Sequence, residues 1–216
     1  MTLKLYYHPL SAFCQKVLIA LYENNTPFEP KFVDFADSTS HQEFLDLWPV
    51  GRFPVLQDEG GDHFVPESSI IIEYLDQHYP GKTKFIPADP DQAREMRMRD
   101  RFFDLYVAAP MQKIVTDRLR PSDGHDPIGV EQARGMLKTA LDLVNEAMSA
   151  KTWANGDAFT MADCAAAPAL WYAAQVMPFE ATHPHAAGYL DRLCRRPSFA
   201  RALTDAEPYL PSFPRS

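Results

Sequence analysis

Apolar residues recur along the first eighty positions with two alternating periods. Leu3 to Tyr7 is a short apolar and aromatic run that stops at His8-Pro9 and predicts a strand. Phe13, Val17, Leu18, Ala20 and Leu21 repeat at helical spacing until Asn24-Asn25-Thr26-Pro27 breaks the pattern. Phe28 to Phe35 predicts a second strand and His41 to Leu47 a short helix. Phe53 to Leu56 and His63 to Val65 predict two more strands, joined by a hairpin turn at Glu59-Gly60-Gly61-Asp62. Pro66-Glu67-Ser68 then opens a helix that carries Ile71, Ile72, Tyr74 and Leu75 and ends at Tyr79-Pro80-Gly81. The order β-α-β-α-β-β-α predicts a compact sheet with helices on its faces.

The stretch from Pro80 to Pro90 is rich in proline and predicts a linker, residues 81–90, between a unit of residues 1–80 and a second unit of residues 91–216. Strand signals vanish after it. Helical patterns cover roughly 91–119, 129–150, 161–176, 184–195 and 197–206, so the second unit is expected to be an all-α bundle. Pro110 should kink or shorten the first of these helices. Thr160 and Asp163 are spaced as a capping box with Phe159 as its hydrophobic staple, a structural helix start.

Composition narrows the function classes. With 46% hydrophobic and 23% charged residues in 216, disordered and fibrous chains are excluded. Prolines outnumber glycines 19 to 9, which favours set turns and helix starts over a flexible chain. The net charge of −8 lies entirely in the first unit, where four Lys/Arg face twelve Asp/Glu. That balance argues against a nucleic-acid partner. Three scattered cysteines, Cys14, Cys164 and Cys194, give no disulfide framework and fit a reducing compartment. No basic-then-apolar leader opens the chain, and its longest uncharged run, Cys164 to Phe179, is too short for a bilayer. A soluble cytoplasmic protein with no membrane partner is expected. The histidines, His183-Pro184-His185 included, show no metal-ligand pattern, so no metal is expected.

Three motifs in the first unit carry chemistry beside a plain structural role. Ser11 stands where a strand ends and a helix begins. It can serve as an N-cap, or it can join the free N–H groups of the first turn in holding an anion such as a thiolate. Pro54 starts an apolar strand, where an edge position or a cis peptide resolves its missing donor; the latter would free the Phe53 backbone to pair with an extended ligand. Glu67-Ser68 opens a helix and suits the ammonium and carboxylate of an amino-acid end.

In this order and spacing, with the Thr160/Asp163 box in an all-α second unit, the chain resembles the cytosolic glutathione S-transferases, in particular the serine-type, bacterial theta/phi/zeta-like members. The likeness spans nearly the whole chain. It implies an α/β thioredoxin-like N-terminal domain, an all-α helical-bundle C-terminal domain, a homodimer and glutathione as cosubstrate. By position it gives Ser11 the stabilisation of the glutathione thiolate, Phe53 and Pro54 the cysteinyl part, and Glu67 and Ser68 the γ-glutamyl end. His41, Gln42 and Arg52 are candidates for the glycine carboxylate. Tyr7, at the end of the first strand, is the alternative thiolate stabiliser, and Cys14, the second position of a Cys-x-x-Cys-like spacing, is a packed thiol or a redox group. Trp48 departs from the asparagine common at that place in the family.

The activity so implied is attack of the thiolate on a small hydrophobic electrophile, in a pocket drawn from Leu10, Phe13, Tyr106, Pro110, Ile114 and Trp171. Alternatives on the same fold are glutathione-dependent peroxide reduction, isomerisation or dehalogenation, or a non-catalytic protein-binding module. Arg94, Arg97 and Arg101 share one helical face, either solvated or meeting the acidic first unit of a second subunit.

Overall fold

The computed structural model describes residues 2–60 and 63–214. Strands β1 (Leu3–Tyr7), β2 (Glu29–Phe32), β3 (Val55–Asp58) and β4 (His63–Pro66) form one mixed sheet in the order β2-β1-β3-β4. β1 runs parallel to β2 and antiparallel to β3, with Leu5 opposite both Pro30 and Leu56. Pro30 is tolerated because β2 is an edge strand and needs no donor on its outer side. Helices α1 (Ala12–Glu23), α2 (Ser38–Leu47) and α3 (Ser68–His78) complete this thioredoxin-like unit. The helix α2 starts three residues before the apolar pattern does, because the Asp37 carboxylate caps it by accepting the Thr39 N–H at 2.9 Å. Of the predicted hairpin turn, Gly61 and Asp62 lie outside the described residues.

The second unit is helical: α4 (Pro90–Phe102), α5 (Ala109–Arg118), α6 (Pro127–Met148), α7 (Met161–Val176), α8 (Pro184–Cys194) and α9 (Pro197–Ala206), closed by a 3₁₀ turn over Glu207–Ser212. Helix α6 begins two residues before the predicted pattern: Asp126 accepts the Gly129 N–H at 2.9 Å and Pro127 fills the first helical position. Pro110 does interrupt the long first helix. Residues Phe103–Ala108 form a π-helical segment in which the Ala109 N–H reaches back to the Asp104 carbonyl. This wide turn comes just before the proline, where an α-helical ring would clash with the carbonyl four residues earlier. The Thr160/Asp163 capping box is present, with the buried Asp163 also accepting from the Ala154 N–H and the Tyr189 hydroxyl. No helix among the described residues is long and apolar enough to cross a membrane.

Helix α1 is the axle of the molecule. Every residue from Cys14 to Leu21 is buried, because α1 packs against α3, α7 and α9 and shares one core with Leu3, Leu5 and Leu56 of the sheet. Lys16 is caught in this burial at 1% exposure, with its charge met from the other unit. Its Nζ lies 2.6 Å from Asp100 Oδ1 and 2.9 Å from Asp104 Oδ2, and donates to Ser69 Oγ at 2.8 Å. The Ser69 hydroxyl in turn donates to Asp100 Oδ2 at 2.6 Å. One buried ammonium thus ties α1 and α3 to α4 and the π segment. Burial, with the neighbouring Asp100 carboxylate, holds the Asp104 pKa above the usual carboxylate range.

The arginine face of α4 is satisfied within the chain. Arg97 makes a two-bond pair with Glu73 of α3 at 2.7 and 2.9 Å, Arg94 pairs with Asp91, and Arg101 reaches Asp104 at 3.1 Å. Only Arg97 meets the first unit; the partners of Arg94 and Arg101 lie in the second, and all three arginines remain exposed, as the solvated alternative expects.

Replacing Lys16 by Met should destabilise the fold by about 3–5 kcal/mol, because two buried carboxylates lose their counter-charge. Replacing Asp100 and Asp104 by Leu in the same chain should restore most of that stability. Urea unfolding measures both, and a loss below about 1 kcal/mol for Lys16→Met would contradict the assignment.

Candidate active site

The site is assembled from chain ends and loops rather than from the middle of any element. β1 stops at Tyr7, the chain turns with the Ser11 N–H donating to the His8 carbonyl at 3.0 Å, and α1 begins. Ser11 is extended (φ −77°, ψ 123°) and caps α1 by accepting the Cys14 N–H at 3.3 Å. Its own O–H meets no oxygen or nitrogen acceptor among the described residues and has only the buried Cys14 sulfur near it, so the hydroxyl remains a donor beside the first turn of a helix.

Gly51 (φ 64°) turns the chain after α2 into Arg52 and the cis peptide Phe53–Pro54. The β3 register begins only at Val55, so the backbone of Phe53 is not taken up by the β1–β3 ladder. After β4, Glu67 adopts φ 72°, a left-handed conformation unusual for a residue with a side chain. Although it occupies the cap position of α3, its carboxylate makes no capping bond and is exposed. Ser68 follows as the first residue of α3, buried, and Ser69 is gripped by Lys16 and Asp100.

Two adjoining cavities meet here. The larger, about 460 Å³, is the more polar of the two, with Arg52, Phe53, Glu67 and Ser68 in its wall. The smaller, about 270 Å³, is mostly apolar and lies between the loop after β1, helices α5 and α7, and the C-terminal tail. Ser11, Phe13, Phe53 and Gln112 belong to both walls. A reactive atom held by Ser11 would therefore face the apolar cavity while the rest of its molecule occupied the polar one.

The expected site residues divide as follows. Ser11, Phe53, Pro54, Glu67, Ser68 and Arg52 come together in the polar cavity. His41 stands behind it, packed on Phe35 at 4.6 Å between ring centres, and the Gln42 amide turns away to Asp46 at 2.8 Å. Tyr7 lines neither cavity; it faces a separate one with Tyr22, Asp205 and Tyr209, and burial raises its phenol pKa. Cys14 is fully buried, and burial pushes its thiol up to about 12, which leaves it a packed, protonated group.

In the apolar wall, Leu10 and Phe13 take their expected places, but Tyr106, Pro110, Ile114 and Trp171 do not. Ala108 of the π segment and Met111, Gln112, Val115 and Thr116 of α5 line it instead, a stripe beside the buried one. Pro110 and Ile114 continue the buried stripe of Ala93, Met96, Asp100, Phe103 and Val107, so they face the core rather than the cavity, and Tyr106, within the π segment, projects outward at 48% exposure. On α7 the wall residue is Tyr172, one position beyond Trp171. Sequence reasoning also missed His8, Gln112 and Phe213. Gln112 stands next to Met111 on α5, and nothing local marks Phe213 as a wall.

Residues 5–83 match the family model "Glutathione S-transferase, N-terminal domain" and residues 127–192 match "Glutathione S-transferase, C-terminal domain". Between them the two models cover about two thirds of the chain. A glutathione S-transferase from Pseudomonas putida is 29% identical over 98% of this chain and 96% of its own. A solved glutathione S-transferase from Methylobacterium radiotolerans, in complex with glutathione sulfonate, aligns with 100% of this chain and 96% of its own at 26% identity and a TM-score of 0.79. Another, from Methylobacillus flagellatus with GSH bound, shares the fold at a TM-score of 0.85 and 23% identity, over 93% of this chain and 98% of its own.

The burial of the thiols gives a direct check. Cys14 and Cys164 are buried, and the half-buried Cys194 is pushed up to about 11, again by burial. None of the three should react with a disulfide reagent within minutes at pH 8 in the native protein, and all should react after unfolding. A fast-reacting thiol mapped to Cys14 would contradict the assignment.

Proposed function

The chain belongs to the glutathione S-transferase family, and from that premise we propose that the polar cavity holds glutathione while Ser11 stabilises its thiolate for attack on a small hydrophobic electrophile in the apolar cavity. The observation that carries this reading is that Ser11, a free hydroxyl donor at a helix start, stands in the wall common to both cavities.

Each part of a tripeptide thiol finds a matching group. The uncapped Glu67 carboxylate suits the γ-glutamyl ammonium, and the free N–H groups at the start of α3 with Ser68 suit its carboxylate. The Phe53 backbone, outside the ladder, suits the cysteinyl amide. Arg52 suits the glycine carboxylate, and His41, behind Phe35, supports that end through packing.

The energetics are of the right size. A thiol of pKa about 8.5 is only a few per cent thiolate at neutral pH, and lowering it by about two units requires about 2.7 kcal/mol. One charge-assisted hydrogen bond supplies about 1.5–3 kcal/mol, and the start of α1 adds about 0.3–1. Tyr7 is not needed for this, and its separate cavity argues against the tyrosine alternative. A peptide-binding cavity opening onto an apolar one also argues for catalysis over a module that only binds protein.

We place this activity in the cytoplasm, in a homodimer. Ile70 on α3, Met98 on α4, and Leu105 and Tyr106 on the π segment are exposed apolar residues on adjoining elements, a surface suited to a second copy. Sedimentation should give a dimer, and Met98→Lys combined with Leu105→Lys should shift it to monomer; a wild-type monomer would contradict this part.

Calorimetry should show glutathione binding, and Ser11→Ala should lower kcat/KM with an aryl halide by about 10²-fold or more, while Tyr7→Phe stays within about twofold. No binding at millimolar glutathione would overturn the reading, and full activity in Ser11→Ala would remove Ser11 from it.

A further inference from the structure

Among the polar groups in the wall of the apolar cavity, the two ring donors His8 and Tyr172 have no part in the glutathione site. His8 lies in the loop after β1, half-buried among the rings of Phe32, Phe53 and Tyr209. Its Nδ1 accepts the Leu10 N–H at 3.2 Å, so the neutral ring must carry its proton on Nε2. Burial lowers the His8 pKa against the opposing pull of Asp34, which keeps the ring neutral. Nε2–H is therefore a donor, and it has no acceptor among the described residues. The ring cannot serve as a base toward a thiol without giving up the Leu10 bond or moving its proton.

Tyr172 repeats this logic from α7. Its phenol oxygen accepts from Gln15 Nε2 at 3.3 Å, and the Gln15 amide is oriented by a second bond from the same nitrogen to the Pro9 carbonyl at 2.9 Å. The Tyr172 O–H then has no acceptor among the described residues, and burial raises its pKa so that it keeps its proton. Its ring is fixed against Phe213 at 5.3 Å between centres. Gln15 lies one turn below Ser11 on α1, so the hydroxyl it meets sits under the helix start assigned to the sulfur. No Asp, Glu, Lys or Arg among the described residues lines this cavity. It is an apolar, aromatic space with neutral donors.

Resting on the proposed function, we infer that His8 and Tyr172 select electrophiles in which a carbonyl oxygen is conjugated to the reacting carbon, and that both donate to that oxygen as charge develops on it. The sulfur lone pair forms a C–S bond to the β-carbon of the enone, and the C=C pair shifts to give an enolate oxygen. That oxygen accepts hydrogen bonds from His8 Nε2–H and the Tyr172 O–H, and neither proton is transferred. The enolate α-carbon then takes a proton from water, replacing the one the thiol released. Fixed neutral donors beside a developing oxyanion lower its barrier without the desolvation cost of a charge. An electrophile without such an oxygen gains nothing from them.

The test compares benzylideneacetone, an aryl enone, with benzyl chloride, which has no oxygen, in wild type, His8→Phe and Tyr172→Phe. Each substitution keeps a ring and removes the donor. Each should lower kcat/KM for the enone by about tenfold, the pair together by about a hundredfold, with benzyl chloride changed by less than about twofold. Calorimetric glutathione affinity should be unchanged, which separates a lost donor from a disturbed fold. Equal losses on both electrophiles, or no loss on the enone, would overturn the inference. So would a wild type that conjugates benzyl chloride and not the enone, leaving the proposed function intact. A wild type that conjugates neither would remove both.

Discussion

The buried ammonium of Lys16 is the constraint from which the geometry of the site follows. A charge at 1% exposure must be matched, and its partners Asp100 and Asp104 belong to the other unit, while the third, Ser69, belongs to α3. Matching it fixes three positions at once. The start of α1 with Ser11 lies just over one turn before Lys16, the start of α3 with Glu67 and Ser68 lies directly before Ser69, and α4 with its π segment carries both aspartates. The wall residues of α5 continue from that segment, so the same cluster sets the distance between the polar and apolar cavities. Apolar residues could fill this space with equal or greater stability, whereas removing one partner of the cluster leaves a buried charge unmatched.

The groups around the two cavities share one property: each is a polar group that secondary structure leaves unused. Ser11 keeps its O–H after capping, Phe53 precedes the first ladder pair, and Glu67 is turned out of its own cap by a left-handed backbone. His8 and Tyr172 each have one atom occupied by a protein N–H, which fixes the remaining hydrogen as a donor. Binding here needs little reorganisation, because these groups have no internal partners to abandon. It also explains how a unit with a net charge of −8 can suit an anionic peptide: local donors and helix starts act at contact distance, where the distant surface charge is screened.

What was legible in the sequence was what is local. A serine between strand and helix, a proline opening an apolar strand and a Glu-Ser helix start are decided by neighbours a few residues away, and these motifs meet in one cavity. The thioredoxin-like sheet and the helical second unit followed from the change in hydrophobic period for the same reason. Which stripe of α5 faces the cavity was not legible, because the apolar period that Pro110 and Ile114 obey marks burial alike in the core and in a cavity wall. Nor was the role of Lys16, whose acidic partners lie 84 and 88 positions further along the chain, or of Phe213, whose neighbour Tyr172 lies on another helix.

The central claim is that Ser11, at a helix start held in place by the interdomain cluster, favours the ionised form of a bound thiol. The ultraviolet absorbance of the thiolate, followed against pH in the glutathione complex, measures this directly. The account predicts a bound-thiol pKa about two units below the free value near 8.5, returning most of the way in Ser11→Ala. A bound thiol that titrates like the free one, or a lowered value that Ser11→Ala leaves in place, would contradict it.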